Sequence, residues 1–200
     1  MNERLTCRRR YLRAVGALVA GITWSTTAVG SARADDDIIE FDSGSTDRCS
    51  RFVEYETSDG EEFESCTGPE GGFVEEIDDD GDEERTEFDS NGTVRRRVEE
   101  DADGDEEEWV YDENGTLRFR REEDADGDEE ERVYDENGTL RFRRDEDDDG
   151  DEKEWQFDEN GTLRVFDKDD EDGDDVRRIY DVNGTLISSH RDDDDLDFDD

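Results

Sequence analysis

Apolar residues in this chain alternate with polar ones in short blocks, and the blocks recur at a fixed interval. Asn-Gly-Thr recurs with a constant 23-residue step, beginning at Asn91, Asn114, Asn137, Asn160 and Asn183. An aromatic residue followed by Asp keeps the same step, from Phe88-Asp89 to Tyr180-Asp181. Apolar positions with a period of two, interrupted by Gly in every connection, predict β-strands rather than helices.

Each repeat unit is predicted to be a β-hairpin, whose strands in the second unit are about 107–112 and 116–121. A two-residue Asn-Gly turn would pair Tyr111 with Arg118. A three-residue loop with Gly115 in the left-handed conformation would pair Tyr111 with Leu117 and Trp109 with Phe119. We prefer the longer loop because it separates the side chains cleanly between two faces. One face then holds Trp109, Tyr111, Leu117 and Phe119, and the other holds Val110, Asp112, Arg118 and Arg120.

The predicted fold class is all-β, a repeat β-meander or solenoid-like array of these hairpins. No unit can bury its apolar face alone, so neighbouring units must stack. Residues 78–190 hold five tandem units, and residues 35–77 are expected to form a degenerate N-terminal capping unit. Residues 191–200 are mostly Asp and predict a disordered acidic tail. A curled sheet, a second copy or a partner would have to cover the aromatic face.

The formal net charge of −44, with 28% hydrophobic residues in 200, would ordinarily indicate disorder. The regular apolar spacing argues against that interpretation. Only Lys153 and Lys168 among the 25 basic residues are lysines, and an acidic, Arg-rich surface resembles the proteins of salt-loving archaea. High salt would screen the repulsion between carboxylates. Nucleic acid is excluded as a partner because its phosphates would be repelled.

The leader, residues 1–34, carries six Arg and one Glu, so the remainder of the chain has 19 basic and 68 acidic side chains and a charge of −49. Arg8 and Arg9 begin a segment that resembles the twin-arginine export motif, and Ala32 and Ala34 frame an A-x-A cleavage site. The alternative, a membrane anchor, is disfavoured because the stretch between them is short and polar. We therefore expect an exported protein, secreted or at the cell surface, without membrane insertion after signal cleavage.

Cys49 and Cys66 are an even pair in a chain predicted to be exported, which favours a disulfide over two free thiols. Five Asn-Gly-Thr triplets, at Asn91, Asn114, Asn137, Asn160 and Asn183, fit the N-glycosylation sequon. Asn-Gly is also favoured hairpin chemistry without any sugar. Both interpretations of the triplets remain open.

A second motif, Asp-x-Asp-Gly-Asp, keeps the same step and provides candidate Ca²⁺ ligands. Its alternate aspartates match positions 1, 3 and 5 of an EF-hand-type loop, and Asp112 falls at position 12 of the second loop. Position 6 is Glu106 where that family has Gly. An acidic turn solvated by salt is the competing interpretation. The candidate ligands are Asp78, Asp80, Asp82, Asp101, Asp103, Asp105, Asp124, Asp126, Asp128, Asp147, Asp149, Asp151, Asp170, Asp172 and Asp174.

The segment Tyr111-Asp112-Glu113-Asn114-Gly115-Thr116-Leu117 resembles the YD repeats of Rhs-type wall and toxin proteins, and the 23-residue hairpin step resembles MORN-like repeats. These resemblances cover residues 78–190 and imply an extracellular β-repeat scaffold.

We expect a scaffold or binding protein with an unknown extracellular or surface partner, and not an enzyme. A secreted hydrolase with an unrecognised carboxylate site is the alternative. The sequence contains neither a nucleophile elbow nor a phosphate loop, and its single histidine, His190, is expected to be a solvated surface residue.

Overall fold

The computed structural model describes residues 38–45, 49–171 and 173–192, and every regular element in them is a β-strand. The degenerate segment contributes β1 (Ile38–Gly44), β2 (Arg51–Thr57), β3 (Glu62–Gly68) and β4 (Gly71–Ile77). The five units contribute β5 (Glu83–Asp89), β6 (Val94–Glu100), β7 (Glu106–Tyr111), β8 (Leu117–Glu123), β9 (Glu129–Tyr134), β10 (Leu140–Glu146), β11 (Glu152–Phe157), β12 (Leu163–Asp169), β13 (Asp175–Tyr180) and β14 (Leu186–Asp192).

The 14 strands form one sheet in which every strand lies beside its neighbours in sequence. The fold is therefore an open antiparallel β-meander, the first of the two arrangements expected from the sequence, and the all-β prediction is confirmed. Asn-Gly-Thr turns and Asp-x-Asp-Gly-Asp turns alternate along the meander. The Asn-Gly-Thr turns therefore lie along the edge of the sheet at one end of the strands, and the acidic turns lie along the edge at the other end. Within the described residues, no helix is long and apolar enough to cross a membrane.

The hairpin turn has the three-residue geometry expected from the sequence. In the second unit, Gly115 has a φ of 79°. Its N–H donates to the Asp112 carbonyl at 3.0 Å, and the Asp112 N–H donates to the Thr116 carbonyl at 2.9 Å. Tyr111 then pairs with Leu117, as predicted. The preference for the longer loop is confirmed by this pairing.

The predicted face assignment is wrong beyond that first pair. The register shifts after Tyr111 and Leu117, so Val110 lies opposite Phe119 and Trp109 lies opposite Arg120. Arg118 is the extra residue of a β-bulge, which turns the rest of β8 over relative to β7. Phe119 therefore shares a face with Val110, and Arg120 shares a face with Trp109. The same shift recurs in every unit.

The sheet has almost no buried core in the described part of the chain. Cys49 and Cys66 are the buried apolar residues, each 7% exposed, and Thr57 and Thr86 are the buried polar ones. No described element packs over either face, so strand side chains are mostly half-buried by their cross-strand neighbours alone. The sheet is thus a single layer, held together by ladders of side chains.

The predicted disulfide is present in the degenerate segment, between Cys49 and Cys66, with a Cα–Cα distance of 5.3 Å. Cys66 lies on β3 opposite Phe52 of β2, so the bridge ties the start of β2 to the next strand. At the other end, β14 runs through Asp192 and so extends into the segment that the sequence analysis assigned to a tail. Residues 193–200 lie outside the described residues.

Candidate functional site

The two kinds of turn share one geometry, although their sequences differ. In the acidic turn of the second unit, the Asp101 N–H donates to the Asp105 carbonyl and the Gly104 N–H donates to the Asp101 carbonyl, both at 2.8 Å. Gly104 has a φ of 95°. This is the pattern of Asp112, Gly115 and Thr116 in the Asn-Gly-Thr turn. The five-residue segment Asp-x-x-Gly-x is therefore used twice in each unit.

The first aspartate of the acidic turn stabilises the turn itself. Asp78 Oδ1 accepts backbone N–H bonds from Asp80 at 2.9 Å and from Asp82 at 3.1 Å. Asp124 Oδ1 accepts bonds from three backbone N–H groups, those of residues 126, 127 and 128. A carboxylate that receives several N–H groups satisfies donors that the tight turn leaves unpaired.

The last aspartate of each of the first four acidic turns joins that turn to the next one. Asp82 Oδ1 accepts the backbone N–H of Ala102 at 3.0 Å, and Asp105 Oδ1 accepts that of Ala125 at 3.0 Å. Asp128 and Asp151 make the equivalent bonds to residues 148 and 171. These bonds connect positions far apart in sequence, so the acidic turns form a hydrogen-bonded row along one edge.

The Asn-Gly-Thr turns form a second row on the opposite edge. Asp112 Oδ1 accepts the N–H groups of Asn114 at 2.9 Å and Thr116 at 3.0 Å. The bond from Thr116 is the main reason that the pKa of Asp112 lies below its ordinary value, and the bond from Asn114 adds to this lowering. A Cβ placed on Gly115 would lie 3.6 Å from the methyl group of Thr93, which belongs to the preceding turn. Successive turns thus stack on one another.

Each bulge residue in the first four units is an arginine that reaches back to the turn aspartate. Arg95 lies 2.8 Å from Asp89, whereas the equivalent arginines of the next three units lie 3.6–3.9 Å from theirs. This role was not predicted from the sequence. Its signal was present, because Arg follows the apolar residue after Asn-Gly-Thr in four of the five units, at Arg95, Arg118, Arg141 and Arg164.

One face of the sheet is divided into three bands between the two edges. Next to the Asn-Gly-Thr turns lie five aromatic–aliphatic pairs, one from each hairpin: Phe88–Val94, Tyr111–Leu117, Tyr134–Leu140, Phe157–Leu163 and Tyr180–Leu186. The middle band consists mainly of arginines with Trp109 and Trp155. Arg97 and Arg120 lie 5.4 and 5.8 Å from the centre of the Trp109 ring system, within cation–π range.

The third band, nearest the acidic turns, is strongly negative. A depression of about 410 Å³ at this edge is lined by thirteen carboxylates and Lys153. Crowding of this kind raises the pKa of Asp148, mainly because Asp149 lies beside it. Arginines of the middle band partly offset the charge, as in the ion pair of 3.0 Å between Arg120 and Glu107.

The structure does not assemble the EF-hand-like loop considered from the sequence. Asp112, the candidate for position 12, lies at the far end of β7 from Asp101, and a strand of this length spans about 20 Å. The other aromatic-Asp aspartates lie at that same far edge. Among the described residues, no three His, Cys, Asp or Glu side chains converge in an arrangement able to hold a metal ion. Asp172 lies outside the described residues.

The remaining candidate residues are placed as follows. The five sequon asparagines, from Asn91 to Asn183, are exposed at one edge of the sheet. His190 is exposed on β14, with its Nε2 3.2 Å from an oxygen of Asp192. The export residues Arg8, Arg9, Ala32 and Ala34 lie outside the described residues. No protein-family model matches the chain, and comparison with curated proteins found no match.

Proposed function

We propose that this protein is an exported, salt-adapted β-repeat scaffold that presents its sheet outside the cell or at the cell surface to an extracellular partner. The observation that carries the proposal is the single-layer sheet, whose faces repeat the same bands of side chains from unit to unit. A surface of repeated, equivalent sites suits multivalent binding or assembly. A unique catalytic site would instead need one unit to differ chemically from the others.

Export and salt adaptation are parts of the same proposal. The twin-arginine-like leader and the A-x-A site support export. The charge of −49 outside the leader and the carboxylate-lined edge support a requirement for high ionic strength. The resemblance to YD and MORN-like repeats supports a scaffold role. The disulfide between Cys49 and Cys66 is in keeping with an oxidising compartment.

Calcium enters the proposal only as a loosely held counterion of the acidic edge. Asp78 and Asp82, the first and last aspartates of one acidic turn, use Oδ1 for backbone N–H groups, and their Oδ2 atoms accept no hydrogen bond from the described residues. Ca²⁺ prefers such oxygens, and its affinity is expected in the range of about 10⁻⁴–10⁻³ M. We also propose that the exposed sequon asparagines carry glycans, which the mass of the intact protein from its native host would test.

Deletion of one complete unit tests the scaffold proposal. Removing residues 124–146 deletes one 23-residue repeat and preserves the register of the turns on both sides. We expect this variant to keep the strand-type circular dichroism of the parent in molar NaCl and to be exported equally. The matched control removes residues 124–145, and the resulting one-residue offset displaces every later side chain to the other face. Loss of folding in both variants would contradict the proposal of interchangeable units.

Export is tested separately on the full chain in a salt-adapted host. Arg8→Lys with Arg9→Lys is expected to retain the protein inside the cell, because the twin-arginine route requires the paired arginines. Arg4→Lys with Arg13→Lys is the control of equal charge, and it is expected to be exported. Equal export of both variants would refute the assignment of this leader. The hydrolase alternative is favoured only if single carboxylate substitutions abolish an activity without unfolding the chain.

A further inference from the structure

Strand β14 is an edge strand of the sheet that the described residues form. All seven of its residues are exposed, whereas most residues of the inner strands are half-buried. Among the described strands it has one neighbour, β13. A strand edge of this kind presents unpaired backbone groups to another strand.

The final hairpin departs from the repeat where this edge lies. Ile187 occupies the bulge position at which the four earlier units have an arginine that contacts the turn aspartate. Four of the five exposed large apolar residues in the described chain belong to this hairpin: Ile179, Val182, Leu186 and Ile187. Ile187 is 65% exposed and Val182 is 67% exposed. An apolar residue has thus replaced a charged one only beside the free edge.

The same hairpin is the least acidic part of the sheet. Strands β13 and β14 carry three arginines and two aspartates, whereas β7 and β8 carry five glutamates and three arginines. Two chains of such high negative charge repel one another over most of their surfaces. The electrostatic repulsion between two copies is smallest where the local charge is not negative. This property favours a second copy of the chain as the occupant of the edge.

We propose that β14 pairs with β14 of a second copy in an antiparallel arrangement, which joins two 14-stranded sheets into one. A two-fold axis through the contact closes the assembly at a dimer. The pairing goes beyond the proposed scaffold function and requires neither export nor calcium.

The dimer is tested by sedimentation of the full chain in molar NaCl over a range of concentrations. Ile187→Arg restores the residue of the other units and can pair with Asp181, so folding is expected to be retained. The variant removes apolar contact from both copies and places like charges at the interface. The dissociation constant of the dimer should therefore rise about tenfold or more. The reverse exchange in an inner unit, Arg118→Ile, is the control and should leave the dimer unchanged.

A cross-linking series identifies the strand in contact. In a Cys7→Ser background, single cysteines at Ile187, Ser188, Ser189 and His190 are oxidised in turn. A β14–β14 pair predicts a covalent dimer from at least one position, because antiparallel neighbours come within disulfide distance. A chain that sediments as a monomer at all concentrations overturns the proposal. Assemblies that grow beyond a dimer without cross-linking, or equal weakening by Ile187→Arg and Arg118→Ile, overturn it as well.

Discussion

The acidic turn offers a direct choice between a structural aspartate and a metal ligand. Asp78 Oδ1 accepts two backbone N–H bonds, at 2.9 and 3.1 Å. No N–H group of the described residues donates to the side chain of Asp80, which lies at the centre of the same turn. Asp78→Ala therefore removes a turn contact and one charge, whereas Asp80→Ala removes only a charge. The two substitutions form a matched pair within one copy of the motif.

The expected loss for Asp78→Ala follows from an equivalent contact at helix ends. A side-chain oxygen that satisfies the first N–H groups of a helix contributes about 1 kcal/mol, and the turn contact here is of the same kind. For a chain of this size that loss corresponds to a fall of about 2–4 °C in the melting temperature. Asp80→Ala should leave the melting temperature unchanged or raise it slightly, because it lowers the repulsion within the acidic edge.

Calorimetry at fixed molar NaCl with EDTA, followed by millimolar Ca²⁺, separates the two interpretations. The structural interpretation expects Asp78→Ala to melt lower than Asp80→Ala under both conditions. If the motif instead serves calcium, the two variants should melt alike in EDTA and should both lose a calcium-dependent stabilisation present in the parent. Equal melting temperatures of the two variants in EDTA would refute the assignment of Asp78 as the turn-stabilising residue.

Three further outcomes follow from the same structure. In molar NaCl, stability should rise as the pH falls from about 7 toward 5, because burial raises the pKa of Glu76 and the folded state therefore binds a proton more readily than the unfolded chain. Below about pH 4, the turn aspartates, whose pKa values are lowered, should be protonated and lose their stabilising charge; a melting temperature that declines steadily from pH 7 downward would contradict this prediction. Gly115→Ala should lower the free energy of unfolding in urea by about 1 kcal/mol, and Gly115→Asn should lower it less, because the φ of 79° disfavours Ala more than Asn. The nearest atom to a Cβ at this position lies 3.6 Å away, so steric contact is not the expected cause, and equal losses for the two variants would indicate that it is. Replacing Cys49 and Cys66 by Ser should lower the free energy of unfolding by about 3 kcal/mol in the same assay, because the disulfide restricts the unfolded chain. An unchanged free energy of unfolding would show that the loop between the two cysteines is already ordered in the unfolded chain.

Local chemistry made several features of this protein predictable from the sequence. The constant repeat step, the strand pattern and the position of Gly115 are set by residues close together in the chain. Each therefore leaves a signature that can be recognised without the fold. The pairing of Cys49 with Cys66 was predictable for a simpler reason, because the third cysteine, Cys7, lies in the segment predicted to be a signal peptide.

Features that depend on how paired strands lie side by side were decided only by the tertiary structure. The bulge at Arg118 adds one residue to one strand, which places Phe119 on the opposite face from Trp109. Strand alternation alone contains no information about such an insertion. The separation of Asp101 from Asp112 has a similar origin, because the extended strand between them reaches across the whole sheet.

Some properties of the acidic motif could be predicted from the sequence, and others depended on the fold. The recurrence of Asp-x-Asp-Gly-Asp was evident from the chain, and its alternating carboxylates resembled a cation loop. Only the stacked meander brings Asp82 within 3.0 Å of the N–H of Ala102, in the next acidic turn, and so assigns that aspartate a bond between turns. The sequence by itself determined the repeated local conformations. The tertiary structure decided which repeated groups meet, because those contacts join residues from different turns of the array.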